Sequence, residues 1–211
     1  MQACSAKLIT ALLFSLILLP ATATAQEAPL QQGATQQLKV TLDSILNILL
    51  DPTLQKEENK AQRMETVSCL FRQRFAEQTF CKRALGRHWK ERSAEEQAEF
   101  TKLFSNLLVE TYLDRIDGYL GGKKSFSKEN IIYLGERATK KYTLVTTDVK
   151  IDEKTTIPVL YRMENIDNDW KVADIAIEGI SLLKNYRAQF NEIIANGGYT
   201  ELLNRLKGKQ I

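Results

Sequence analysis

The sequence predicts an α+β fold: a four-stranded antiparallel meander packed with several helices. Three observations predict it. Apolar residues recur at helical spacing up to about residue 120, and the period then shortens to that of strands. The links between the strand-like runs are short and polar, which makes them hairpins. Helical spacing returns after residue 181, so helices and sheet are segregated along the chain.

The chain has 211 residues. Met1 to Lys7 carries one charge, Leu8 to Leu19 holds ten apolar residues in twelve, and Ala23-Thr24-Ala25 follows Pro20. That is the pattern of a secretory signal peptide cut after Ala25, leaving a mature chain of 211 − 25 = 186 residues. The apolar run is shorter than the roughly 20 residues of a membrane span, and no other run approaches that length. Cys4 precedes the apolar stretch, which argues against a lipoprotein. The net charge of +3 falls to +2 when Lys7 is removed. This near-balance provides no electrostatic case for nucleic acid.

Residues 26–33 read as a disordered lead-in with Pro29. Residues 34–207 read as one domain, and residues 208–211 as a tail. Leu38, Leu42, Ile45, Leu46 and Leu49 lie on one face of a first helix, which Asp51-Pro52 ends. Met64, Val67, Leu70, Phe71 and Phe75 continue at helical spacing. Phe80, Cys81, Ala84 and Leu85 make a short helix that stops at Gly86. Ser93-Ala94-Glu95-Glu96 is a capping box. It opens a helix with Phe100, Leu103, Phe104, Leu107, Leu108, Thr111 and Tyr112 on one side, ended around Gly118 and Gly121-Gly122.

The four strand-like runs are Asn130–Glu136, Tyr142–Asp152, Ile157–Asn165 and Asp169–Glu178. Val159, Tyr161 and Met163 share one face of the third, with Ile157. In the fourth, Val172 and Ile175 break alternation. Either a β-bulge switches the face or both faces are covered. Ser181 is a candidate N-cap for a helix with Leu182, Leu183, Tyr186, Phe190, Ile193 and Ile194, ended by Gly197-Gly198. Tyr199, Leu202, Leu203 and Leu206 form a short amphipathic tail helix.

Catalytic and metal chemistry find little support. His88 is the one histidine, so a Ser-His-Asp or Cys-His hydrolase would have to use it. No phosphate-binding glycine loop, no dinucleotide fingerprint and no zinc-protease motif occurs. Cys69 and Cys81 are the two cysteines left after the leader, an even pair in an exported chain. They are a candidate disulfide, with two free thiols as the alternative. With His88 they do not complete a zinc site. No catalytic residue, metal or cofactor is therefore expected.

Two stretches resemble a known family. The first is Ala84-Leu85-Gly86-Arg87-His88-Trp89, then Ser93-x-x-Glu96-Gln97-x-x-Phe100-x-x-Leu103-Phe104 and Leu108-x-x-Thr111-Tyr112. The second is Pro158-Val159-x-Tyr161-Arg162-Met163, then Trp170-Lys171-Val172-x-Asp174-Ile175-x-Ile177-Glu178-Gly179-Ile180-Ser181-Leu182 and Asn185-Tyr186-Arg187-x-Gln189-Phe190. Both are similar to the MlaC, or toluene-tolerance, family of periplasmic proteins, over residues 34–207. Ala173 departs from it where an aromatic residue is usual, and so does Phe80-Cys81.

The resemblance implies a periplasmic carrier with an apolar lipid cleft between sheet and helices. Its cargo would be phospholipid. Its partners would be an outer-membrane lipoprotein complex and an inner-membrane ABC transporter with its periplasmic substrate-receiving subunit. It would work as a monomer that maintains outer-membrane lipid asymmetry. Another lipid such as a hopanoid, or a role as an adaptor binding only protein, are the alternatives. Strand and helix parity, taken with the motifs, nominate Leu107, Leu108, Tyr112, Val159, Tyr161, Met163, Ile175, Ile177 and Tyr186 as lipid-contacting. Arg162 points away from Tyr161 and is expected in a structural ion pair.

Overall fold

The computed structural model describes residues 33–120 and 126–211. The expected leader, most of the lead-in and Gly121-Gly122 lie outside them. Helix α1 spans Ala34–Leu49, α2 Lys60–Arg74 and α3 Glu77–Leu85. Helix α4 spans Ala94–Leu108 and runs through one wide π-helical turn, Val109–Leu113, into α5, Asp114–Leu120. Strands β1 Ile131–Ala138, β2 Thr143–Lys150, β3 Thr156–Ile166, β4 Asp169–Ile177 and β5 Ile180–Ser181 follow. Helix α6, Leu182–Lys207, completes the order and breaks its helical geometry at Gly198, φ 76°.

The fold is α+β as the sequence predicts, with each strand pairing antiparallel to its neighbour in the chain. The sheet has five strands rather than four, because Glu178-Gly179 turns the chain back to pair Ile180-Ser181 with the end of β4. Asp167-Asn168 makes the β3–β4 hairpin with both residues at positive φ (51° and 63°), the twist that two-residue hairpins favour. The capping box of α4 is formed: Ser93 Oγ accepts Glu96 N at 3.2 Å and Glu96 Oε2 accepts Ser93 N at 2.8 Å.

The broken alternation of β4 is a bulge. Arg162 pairs with Asp174 and Met163 with Val172, so Ala173 has no opposite residue. The bulge keeps both Val172 and Ile175 on the helix-facing side. It also frees Asp174, whose carboxylate accepts Ser181 Oγ at 2.6 Å and Leu183 N at 3.1 Å and so fixes the start of α6.

The first turns of helix α1 are tied to β1 and β4: Thr35 N donates to Glu136 Oε2 at 2.9 Å. Gln37 Oε1 accepts Trp170 N at 3.0 Å. Arg74 donates to Gln37, Thr41, Asp169 and the Trp170 carbonyl, joining α1, α2 and β4 through one guanidinium. Arg83 grips Glu164 with two bonds, of 2.6 and 3.1 Å, joining α3 to β3. Gly86 follows α3 at φ 60°, a conformation that favours glycine, and a Cβ there would press on the Arg187 side chain of α6, with Nε at 3.0 Å.

Two expected contacts are corrected. Cys69 and Cys81 are free: Cys69 is exposed on α2, while Cys81 is fully buried near Ser105 Oγ, at 3.8 Å. One thiol faces water and the other the core, so their sulfurs do not meet. Arg162 makes no ion pair among the described residues. Its guanidinium lies over the Tyr142 ring, 4.5 Å from the centroid, a cation–π contact on the outer face of the sheet.

Candidate functional site

Alternation alone sets up the inner face of the sheet. On β2, Val145, Thr147 and Val149 point one way; on β3, Ile157, Val159, Tyr161 and Met163 join them. Tyr133 of β1 stands opposite Thr147, and Thr147 opposite Val159, so these three make one row across three strands. Val172, Ile175 and Ile177 extend the face into β4.

Helices α3, α4 and α6 cover this face with an aromatic layer. Phe104 is at its centre, with ring centroids of Tyr186 and Phe190 at 4.9 and 4.8 Å and those of Phe100 and Phe80 at 5.6 and 5.7 Å. Phe75 continues the layer from Phe80, and Phe71 from Phe75. Edge-on packing of this kind adds to the gain from buried area.

The nine residues nominated from the sequence come together here. Val159, Tyr161, Met163, Leu107, Leu108 and Tyr186 belong to a single buried cluster. Tyr112, Ile175 and Ile177 are half-buried and pack against it. Sequence reasoning missed Tyr133, Val145 and Thr147 on the first two strands and Leu38 on α1. Their signal was blurred, since the apolar Leu144 adjoins Val145 and Thr147 is itself polar, so the strand was read for its extent and not for its face.

The interface is closed: Val145, Thr147, Met163 and Phe104 are all 0% exposed. Where Leu107 and Tyr186 approach the surface there is an open cleft of ≈ 350 Å³, bounded also by Glu110, Arg115, Lys209 and Ile211. Lys209 Nζ lies 2.6 Å from Glu110 Oε2 and draws the residues after α6 across this cleft.

A second, smaller cluster lies beside the first. Ile45, Leu46 and Leu49 of α1 meet Val67 of α2, Val109 and Leu113 of the π turn, Leu120 and Phe126. Phe71 and Val149 touch both clusters. Arg63 and Asp117 form a buried ion pair at its side, and Arg63 also donates to the Leu54 carbonyl.

The inner face is hydroxylic but uncharged. Burial pushes the Tyr161 phenol up to about 12, with the neighbouring Thr147 hydroxyl acting in the opposite sense. Burial first, and then Tyr161 and Asp43 nearby, raise Tyr133. Burial and the adjacent Tyr112 raise Tyr186. All three stay neutral at any physiological pH. Among the described residues no group of three or more His, Cys, Asp or Glu side chains could hold a metal ion. His88 stands 3.5 Å from Glu91 Oε2 and 3.5 Å from Arg87 Nε, in contact with charged neighbours rather than a nucleophile. The face thus combines apolar side chains with neutral hydroxyls and carries no group suited to catalysis among those named.

The family described as MlaC protein matches residues 39–208. No curated protein matches the chain. Among solved structures, the phospholipid-binding protein from Ralstonia solanacearum, determined in complex with a phospholipid, is 26% identical. The match covers 85% of this chain and 97% of that one, with a TM-score of 0.72.

Proposed function

The chain belongs to the MlaC family, and from that membership we propose that it is a periplasmic phospholipid carrier. It works as a binding protein rather than an enzyme, taking lipid between membranes as the soluble component of an ABC transport system. The observation that carries the proposal is the phospholipid held by the Ralstonia solanacearum protein on this same fold. The sheet face described above, with Val159, Tyr161 and Met163 opposite Leu107, Leu108 and Tyr186, is the surface we assign to the acyl chains.

The energetics suit a carrier. Each methylene moved from water to an apolar site gains about 0.8 kcal/mol. Two chains of about 14 methylenes would gain more than about 20 kcal/mol, near the ceiling of noncovalent affinity. A bilayer offers the same lipid a comparable gain, so exchange between protein and membrane is near balance while free lipid is strongly disfavoured. No chemical step is needed. Sheet and helices must part, since the core residues between them are closely packed in the structure.

That packing favours one other reading, a periplasmic adaptor with a permanently filled core. Purification of the mature chain from the periplasm, followed by organic extraction and native mass spectrometry, separates the two. A carrier is expected to hold about one phospholipid per chain. A lipid-free extract would overturn the proposal, and a hopanoid in the extract would change the cargo.

A further inference from the structure

The inner face carries one hydroxyl whose position is unexplained by the packing. Tyr133 is half-buried, but its hydroxyl oxygen is fully shielded from water and has no hydrogen-bond partner among the described residues. Such an oxygen is uncommon in a folded protein, because a buried donor left unmade is costly. Phenylalanine would fill the same space without that cost.

Tyr133 also marks a depth. Lys39 Nζ lies 5.2 Å from the centroid of its ring, and Lys39 is paired with Asp43 at 3.2 Å on the partly exposed side of α1. The ring therefore runs from a charged rim inward. On the backbone, Tyr133 stands in the row that continues through Thr147 to Val159, and burial first, then Tyr161 and Asp43, raise the pKa of its phenol. Beyond Tyr133 the register of β1 against β2 shifts, with Leu134 left unpaired before Gly135, so the strand is bulged directly after this residue.

A diacyl phospholipid has a matching arrangement. Its phosphate belongs in water, its chains in an apolar phase, and its two ester carbonyls lie between them. Those carbonyls accept hydrogen bonds and have no donors of their own. We propose that Tyr133 is the ester-recognising residue of the cleft, its hydroxyl donating to an acyl ester carbonyl. Lys39 at the rim stands on the phosphate side. This inference rests on the carrier reading above and adds selectivity for ester-linked over ether-linked lipid, since an ether lacks the carbonyl acceptor.

The test is a loading competition. The mature protein, stripped of lipid, is offered vesicles with equal amounts of diacyl phosphatidylethanolamine and its dialkyl ether analogue of the same chain length. Native mass spectrometry reads the ratio bound. Wild type is expected to favour the diacyl lipid about fivefold, the effect of one neutral hydrogen bond. Tyr133→Phe is expected to load both lipids near the vesicle ratio. The lipid-free variant is expected to be as stable as wild type or more so, because a buried unpartnered hydroxyl has been removed. A wild-type ratio near one, or a preference that survives Tyr133→Phe, would overturn the assignment and leave the carrier reading standing. If neither lipid loads, both fall together.

Discussion

Arg63 and Asp117 form a two-pronged ion pair, with Nε–Oδ1 and Nη2–Oδ2 both at 2.7 Å and both side chains less than one-tenth exposed. The bond to Asp117 outweighs the burial of Arg63 and raises its pKa further, so the guanidinium is always charged. The pair joins α2 to α5 beside the smaller cluster. Removing one partner strands a buried charge. Arg63→Ala or Asp117→Ala is expected to cost about 3–5 kcal/mol in denaturant unfolding. Replacing both with apolar residues of similar volume should cost less than either single change. A double variant as unstable as the worse single one would show that the pair's value lies in its geometry and not in charge compensation.

Phe104 touches four other aromatic rings and is 0% exposed. Phe104→Ala should destabilise the fold by about 3–5 kcal/mol, the usual range for a buried phenylalanine. Phe104→Leu should recover much of this. Chemical denaturation of the lipid-free protein measures it. A loss under about 1 kcal/mol would mean that the layer repacks freely.

The two cysteines should differ in reactivity. Burial pushes the Cys81 thiol up to about 12, and it is 0% exposed, whereas Cys69 is exposed. Of these two thiols, a water-soluble maleimide is expected to label Cys69 under native conditions and Cys81 only in denaturant. Non-reducing peptide mapping should find both thiols free. A bridged peptide containing Cys69 and Cys81 would contradict the structure.

Acid and alkali should weaken the fold through different residues. Burial opposes the charge on Asp169, but hydrogen bonds from Lys171 and Arg74, reinforced by their charges, hold its carboxyl below the ordinary value. A depressed acid contributes stability above its unfolded pKa and loses it as the pH falls through the folded one. The loss therefore comes below about pH 4. It is small, since the Asp169 side chain is 42% exposed and screened by water. Asp169→Asn should flatten this acid limb. Tyr161 acts at the other end: its raised pKa keeps the phenol neutral in the fold, so stability falls as the pH rises from 10 to about 12. Tyr161→Phe should remove that contribution. Unfolding midpoints across both pH ranges test the pair of expectations.

Much of the architecture was legible because its signals are local. The capping box at Ser93 and Glu96, the break at Gly197-Gly198 and the parity change at Val172–Ile175 can each be read from a few neighbouring residues. Strand β5 was missed because two residues carry no period. The faces of the candidate site were legible too, since alternation decides which side of a strand a residue occupies. What lies opposite that side was not. The Arg63–Asp117 pair spans 54 positions, and neither residue stands in a pattern that announces the other. The disulfide expectation failed for the same reason. Counting cysteines reports the compartment, while bridging depends on where α2 and α3 aim their side chains. Tyr133 was overlooked because its oddity is the lack of a partner, which no single sequence displays.

The unbroken strand order β1-β2-β3-β4-β5 also bears on how the chain assembles. Each strand pairs with the one made just before it, so the sheet can zip from its hairpins with little loop entropy to overcome. Helix α1 has the opposite problem. Its anchors are Glu136, 101 positions from Thr35, and Trp170, 133 positions from Gln37. The first turns of α1 thus wait for the last hairpin, while Ile45, Leu46 and Leu49 can already pack on Val67 of the neighbouring α2. A folding chain should pass through a stage in which the meander is protected while the first turns of α1 still exchange their amide hydrogens, and pulse-labelling would see it. Simultaneous protection of both would mean that α1 finds its place without a finished sheet.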